Sequence, residues 1–398
     1  MLWDFDRCID RRASDSVKWR TYETDVLPMW IADMDFPAPP AVLQTLQDRV
    51  AHGVFGYGKR PAALIEVIQE RLNRLYHWAV PAEAILFTPG VVSGFNLANR
   101  SLSKADREVL IQTPVYPPFL KAAGHSGMNT RILELSRQRE GSYSVDLDAF
   151  KQAVGLQTSS FLFCNPHNPV GRVFRRDELE AMADVCLRHR VPIISDEIHC
   201  DLVFEGRRHV PLASLSPEIA RQTFTLMSPS KTFNLAGLEF AIAIVPDMEL
   251  RRKFEAARSG MVPMSNVMAF VAAQAAYQEG QAWLESLMHY LEMNRDLVWN
   301  FVLERLPGLT MTKPEATFLA WIDCRDANLP CNPAQFFLKY GRVALNDGKK
   351  FGPGGEGFVR LNFGCPRSLL VEGLERMAVA LANKDLSRMR ESAKTRES

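Results

Sequence analysis

The stretch Ser228-Pro229-Ser230-Lys231-Thr232-Phe233-Asn234 decides how the chain is read. It follows a run of strand formers, Thr223-Phe224-Thr225-Leu226-Met227, and precedes a glycine-containing loop, Leu235-Ala236-Gly237-Leu238. A strand that ends in two hydroxyls and an amine offers donors for a phosphate and a nucleophile for an aldehyde. One reading is that Lys231 holds pyridoxal phosphate (PLP) as a Schiff base. An exposed loop lysine explains the same stretch about as well, because most lysines face water.

On either side of this stretch, from Ala84 to Val245, short apolar strands alternate with helices. The strands are read at Ile85–Phe87, Val109–Ile111, Arg131–Leu135, Ser160–Cys164, Val191–Ser195, Phe224–Met227 and Ala241–Val245. Such alternation predicts an α/β fold with a largely parallel sheet between helices, and functional groups at the carboxyl ends of the strands. After Asp247 two helical stretches follow, Leu250–Ser259 and Val267–Arg295, the second leading on to Val298–Leu306. A smaller α/β region closes the chain, with strands at Thr317–Ile322 and Gly357–Phe363. The basic tail from about Leu386 is given no role.

The beginning is different. Leu27 to Pro37 is too broken by proline for a helix and reads as an ordered arm. The arm is either a strap on the core or one wall of a substrate pocket. Ala41–Val50 has helical spacing, with Val42, Leu43, Leu46 and Val50 on one side. Three glycines then surround Tyr57 in Gly53-Val54-Phe55-Gly56-Tyr57-Gly58, a loop able to carry a phenol away from its own domain. Pro61 opens a helix to about Trp78. The expected domains are an N-terminal arm with part of a small domain over 1–45, a large PLP-binding domain over 46–290, and a small C-terminal domain over 291–398.

Composition narrows the function. The 398 residues are 47% apolar with a formal charge of +1, which suits an enzyme of small molecules and argues against nucleic acid. No apolar run is long enough to span a bilayer, and the acidic start lacks the pattern of a signal peptide. The seven cysteines form no C-x-x-C pair, so reduced cytoplasmic thiols are expected, with no metal site.

Five further strand ends carry unusual residues. Thr88-Pro89-Gly90-Val91-Val92 precedes a helix whose free amides suit a phosphate, although a plain strand-to-helix turn is commoner. Tyr116, held between prolines in Thr113-Pro114-Val115-Tyr116-Pro117-Pro118, is placed to stack on a flat ring or to be a surface aromatic. Asn165-Pro166-His167-Asn168-Pro169-Val170-Gly171 stops its strand at Cys164 and offers amides to a phenolate oxygen, or simply turns. Asp196, in Ser195-Asp196-Glu197-Ile198-His199, needs a cation such as a protonated pyridine nitrogen; the rivals are a surface acid pair or a metal site, the latter disfavoured because His199 has no second histidine at ligand spacing. Arg360 lies within an apolar strand and suits an amino-acid carboxylate or a structural salt bridge.

The order of these signals resembles the fold-type I PLP enzymes, the aminotransferase class I/II superfamily, over nearly the whole chain. Asn168-Pro169-Val170-Gly171, Asp196 and Ser230-Lys231 carry that likeness. Leu27–Phe36, Asn165–Gly171, Ser195–His199 and Arg360–Arg367 look like the MalY/PatB-type cystathionine β-lyases within it. The resemblance implies a PLP-dependent transferase-like fold and assigns roles. Lys231 would be the attachment lysine and base, Asp196 the partner of the ring nitrogen, and Tyr116 the stacking ring, these three being the catalytic set. Asn168 would hold the ring oxygen, with His199 beside the cofactor. Val91, Val92, Ser228 and Ser230 would hold the phosphate, and Tyr57 would reach it from the second subunit of a homodimer. Arg360 would hold the substrate carboxylate, near Trp30 and Asp33. His199 replaces a tyrosine common in aminotransferases, which favours the lyase branch. Glu239 replaces a phosphate-binding arginine and is expected to point away. The expected activity is a carbon–sulfur β-lyase on L-cystathionine or related sulfur amino acids; an aminotransferase is the alternative, and a PLP-holding regulatory binder a third reading.

Overall fold

The computed structural model describes residues 3–384; the tail from Leu386 lies outside them. The central sheet has seven strands. Across it they run Ile85–Thr88, Ala241–Ile244, Thr223–Met227, Ile193–Asp196, Thr158–Cys164, Glu108–Thr113 and Asn129–Glu134. Ala241–Ile244 is antiparallel to both its neighbours, the edge strand Ile85–Thr88 among them; the other five strands pair in parallel with one another. The middle strands are buried along their length, Phe161, Phe163, Ile194 and Phe224 among them. That is why their sequences are continuous apolar runs without alternation. The outermost strand, Asn129–Glu134, instead exposes Arg131 and Glu134, charges that discourage edge pairing.

A second sheet of four antiparallel strands lies nearer the C-terminus, in the order Thr310–Met311, Leu319–Asp323, Phe358–Asn362, Asn346–Asp347. The N-terminal arm joins this part of the molecule, because Leu27–Pro28 pairs in parallel with Val343–Ala344. Two helices, Pro40–His52 and Gln281–Arg305, run unbroken through the positions 45/46 and 290/291.

The helical stretch after Val267 is divided where the spacing suggests continuity. One helix covers Val267–Glu279 and the next Gln281–Arg305, with Gly280 between. A Cβ at Gly280 would lie 2.4 Å from the Ala276 carbonyl oxygen and 2.6 Å from the Phe233 ring. The break lets Phe233 pack against both helices, through Tyr277 and Trp283. Trp283 in turn meets Phe5, and Phe5 meets Phe36 and Tyr290. This aromatic group ties the arm, the long helix and the Lys231 segment into one core.

Candidate active site

The parallel strands deliver their carboxyl ends to a cavity of about 400 Å³. Trp30, Val91, Val92, Tyr116, Asn168, Asp196, His199, Ser230, Lys231 and Arg360 all line it. These residues come from seven separate stretches of chain, and the fold brings them to one place.

Lys231 sits in a four-residue helix, Pro229–Thr232. The Ser228 hydroxyl caps that helix, accepting from the Ser230 N–H at 3.0 Å and bonding the Phe240 carbonyl at 2.6 Å. Ser228 is buried and absent from the cavity lining. Its hydroxyl lies 2.8 Å from that of Ser230, so the two hydroxyls form one hydrogen-bonded pair. The Lys231 ammonium donates to the Ala32 carbonyl. Burial pushes the amine down to about 8, and the Arg360 charge acts the same way, while the Asp33 and Asp196 carboxylates oppose both.

Asp196 is 4% exposed and accepts one backbone bond, from Ile198 N–H at 3.1 Å. Burial pushes its carboxyl up to about 7; the Ile198 bond and Lys231 pull the other way, and Glu197 adds to the rise. Glu197 turns to the opposite side. Its two oxygens meet Ser195 Oγ at 2.8 Å, Leu212 N–H at 3.1 Å and His209 Nε2 at 2.8 Å. The two acids are thus no surface pair. His199 is buried against Phe318, and its Nδ1 has no hydrogen-bond partner among the described residues. Burial first, then the Lys231 and Arg360 charges, push that imidazole down to about 3.

Arg360 enters from the small sheet. It donates to Asn168 Oδ1 at 2.8 Å, Asn346 Oδ1 at 2.5 Å and the Trp30 carbonyl at 3.1 Å. Its guanidinium lies 4.9 Å from the centre of the Phe351 ring. Among the described residues no acidic side chain pairs with it, its Nε is unsatisfied, and burial pushes it down to about 10. A structural salt bridge is therefore not its role here. Asn168 spends its carbonyl oxygen on Arg360, which leaves its NH2 as a donor. The Asn168 main-chain carbonyl also accepts from Tyr116 N–H at 3.1 Å, so the Tyr116 and Asn168 loops are fixed to each other.

At the other end of the cavity, the helix Val91–Ser101 begins after Gly90 with no side-chain cap. Its first amides are free for an anion. Gly90 has φ 140°, a conformation that side chains rarely adopt, and a Cβ there would meet only open space. Glu239 stands at the cavity rim, exposed and at φ 53°.

Two residues lie elsewhere. Tyr57 is fully exposed and outside this subunit's cavity. Asp33 does not line the cavity either. Its carboxylate is bound by Arg11 at 2.7 Å and lies 3.8 Å from Lys18 Nζ. It reaches Lys231 only through its field.

The arm proves to be both strap and wall. Met29, Met34 and Phe36 are buried in the core, while Trp30, Ile31 and Ala32 face the cavity. Successive carbonyls are held by side chains from the site. Arg360 binds Trp30, Lys231 binds Ala32, and Asn362 Nδ2 binds Ile31 at 2.6 Å and Asp33 at 2.7 Å. Asn234 Nδ2 binds Met34 at 2.9 Å and Phe36 at 2.8 Å. Asn234, Asn346, Phe351 and Asn362 were not among the candidates read from sequence. Asn234 and Asn362 stood in quoted motifs, and a buried-strand asparagine is the one signal that marks Asn362.

An unpaired guanidinium, a buried carboxyl with one bond, a free helix start and an amine in one cavity fit PLP. The Aminotransferase class I and II family model matches residues 24–377, and the chain belongs to that family. It is 39% identical to cystathionine beta-lyase PatB of Bacillus subtilis, over 95% of this chain and all of that one. Among solved structures, OvoB is 46% identical with a TM-score of 0.91, covering 95% of this chain and 99% of that one. Cystalysin of Treponema denticola, which contains a pyridoxal 5'-phosphate cofactor, is 30% identical with a TM-score of 0.92, covering 96% and 100%. The fold is that of the PLP-dependent fold-type I proteins, and PLP is the cofactor.

Proposed function

We propose that the protein is a PLP-dependent carbon–sulfur β-lyase that cleaves L-cystathionine or related sulfur amino acids to a thiol, pyruvate and ammonia. The observation that carries this reading is one cavity in which the Lys231 amine, the buried Asp196 carboxyl and an acid-free Arg360 meet. The likeness to PatB, named a cystathionine beta-lyase, supports the lyase over the aminotransferase.

Bound PLP supplies an aldehyde for covalent attachment and a ring that stabilises negative charge at the substrate α-carbon. Asp196 would carry the countercharge for the ring nitrogen, and the Asn168 NH2 would be the donor for the ring oxygen. Tyr116 covers the ring. Ser228, Ser230 and the amides of Val91 and Val92 would hold the phosphate. Arg360 fixes the substrate carboxylate beside Asn168, so ring and substrate are oriented by one hydrogen-bonded pair. Lys231, with its pKa brought down to about 8, takes the α-proton as general base. A thiolate on the β-carbon then leaves.

The working form is a homodimer in which Tyr57 reaches the phosphate of the neighbouring subunit. Leu43, Val50, Val54, Phe55 and Tyr57 are all exposed on one subunit, in the helix Pro40–His52 and the loop after it. A second copy would cover that apolar surface. Cys8, Cys164, Cys186, Cys200, Cys324 and Cys365 are free thiols, which suits the reducing cytoplasm.

The test is incubation of the purified protein with L-cystathionine, with and without a 2-oxo acid. Pyruvate and a free thiol formed without the acceptor are the expected result. Turnover that requires the acceptor would make the protein an aminotransferase.

A further inference from the structure

PLP is rigid, so its two anchors must be held at a fixed separation. Asp196 stands at the end of one strand, Ile193–Asp196, and Lys231 just past its neighbour, Thr223–Met227. The ladder between these strands ends with Glu197 N–H donating to the Leu226 carbonyl at 2.8 Å. Beyond that bond the two chains separate into loop and short helix. The helix has four residues, too few to hold its own position.

One side chain bridges the gap. Asp201 lies five positions after Asp196, and its Oδ2 accepts from the Thr232 hydroxyl at 3.0 Å. Thr232 is fully buried and follows Lys231 directly. The other Asp201 oxygen accepts from Arg71 Nη2 at 2.6 Å. Arg71 belongs to the helix Ala62–Tyr76, is buried, and lies 5.1 Å from the centre of the Tyr277 ring. Neither Asp201 nor Thr232 lines the cavity. The ion pair alone would be a structural device, but the third contact, to the residue beside Lys231, gives it another use.

We propose that Asp201 is a positioning residue: held by Arg71, it sets the Lys231 amine relative to Asp196 through the Thr232 hydroxyl. This rests on Lys231 being the attachment lysine.

Holoenzyme variants test it. Thr232→Val keeps the shape and the Arg71–Asp201 pair and removes only the hydroxyl. A loosely held base loses rate more than binding, so kcat should fall about tenfold or more while KM stays within about twofold. The pH midpoint of the visible absorbance of bound PLP should move by at least about half a unit. Thr232→Ser should restore both. Thr232→Val with wild-type kcat and absorbance midpoint, whatever its melting temperature, would overturn the proposal. Lys231→Ala is the control: if it keeps the visible band, the attachment reading fails; if it loses the band, a silent Thr232→Val refutes the role of Asp201 alone.

Discussion

Asp196 gives the sharpest test of the site, because in the cofactor-free protein it is a buried acid with no ion-pair partner among the described residues. The perturbation is Asp196→Asn, which keeps shape and removes the titration. An unfolded aspartate ionises near pH 4, whereas burial holds Asp196 at about 7 in the fold. Between those values the folded state keeps a proton that the unfolded state has lost. Unfolding therefore releases a proton, and stability falls as pH rises through this window. Some three units at about 1.4 kcal/mol each give a loss on the order of 4 kcal/mol from pH 4 to 7. Lys231 works in a different window, since burial brings its pKa down to about 8 from the ordinary 10.5. Its contribution rises only above pH 8. The assay is urea unfolding of the apoenzyme at half-unit steps from pH 4 to 7.5, for both proteins. The wild type should lose several kcal/mol relative to the variant across that range, and adding PLP should return much of it to the wild type only. Parallel curves for the two apoproteins would refute the claim that Asp196 is a desolvated acid awaiting a cation.

Mixing inactive Tyr57→Ala and Lys231→Ala subunits should recover about a quarter of wild-type activity, one intact site per mixed dimer. No recovery after subunit exchange would place Tyr57 outside the neighbour's site. Arg360→Lys should raise KM for the amino acid by about tenfold or more with PLP retained, because an ammonium lacks the planar fork; unchanged KM, read by steady-state kinetics, would remove Arg360 from the carboxylate. Gly280→Ala should lower stability by roughly 1–3 kcal/mol through its clash with the Ala276 carbonyl. Chemical denaturation measures that loss, and full stability would mean the two helices can join.

The strands of the central sheet were legible because burial on both faces leaves apolar runs bounded by turn residues. Their ends carried most of the site for the same reason: a polar residue after such a run has to be accounted for. Lys231, Asp196, Asn168 and Tyr116 were visible in that way. The cap that Ser228 makes on the short helix had no separate signal, because a hydroxyl at a helix start serves the helix as readily as a phosphate. Phe351 and Asn346 had no local signal; they reach Arg360 from loops and short strands of the second sheet. The break at Gly280 was hidden because apolar spacing continues across it, and the reason for it, the Phe233 ring, lies 47 residues earlier in sequence (280 − 233). Glu197 and Asp196 are adjacent acids, and the strand's alternation sends them to opposite sides, a consequence of register rather than composition.

The arm's grip on the site uses main-chain oxygens, which every residue type presents alike. Exchanges at Ile31 or Ala32 therefore leave the acceptors for Asn362 and Lys231 in place. The same segment is thus free to vary the shape it shows to the substrate while its attachment stays constant. New substrate preferences can be sought there without disturbing the resting place of the lysine.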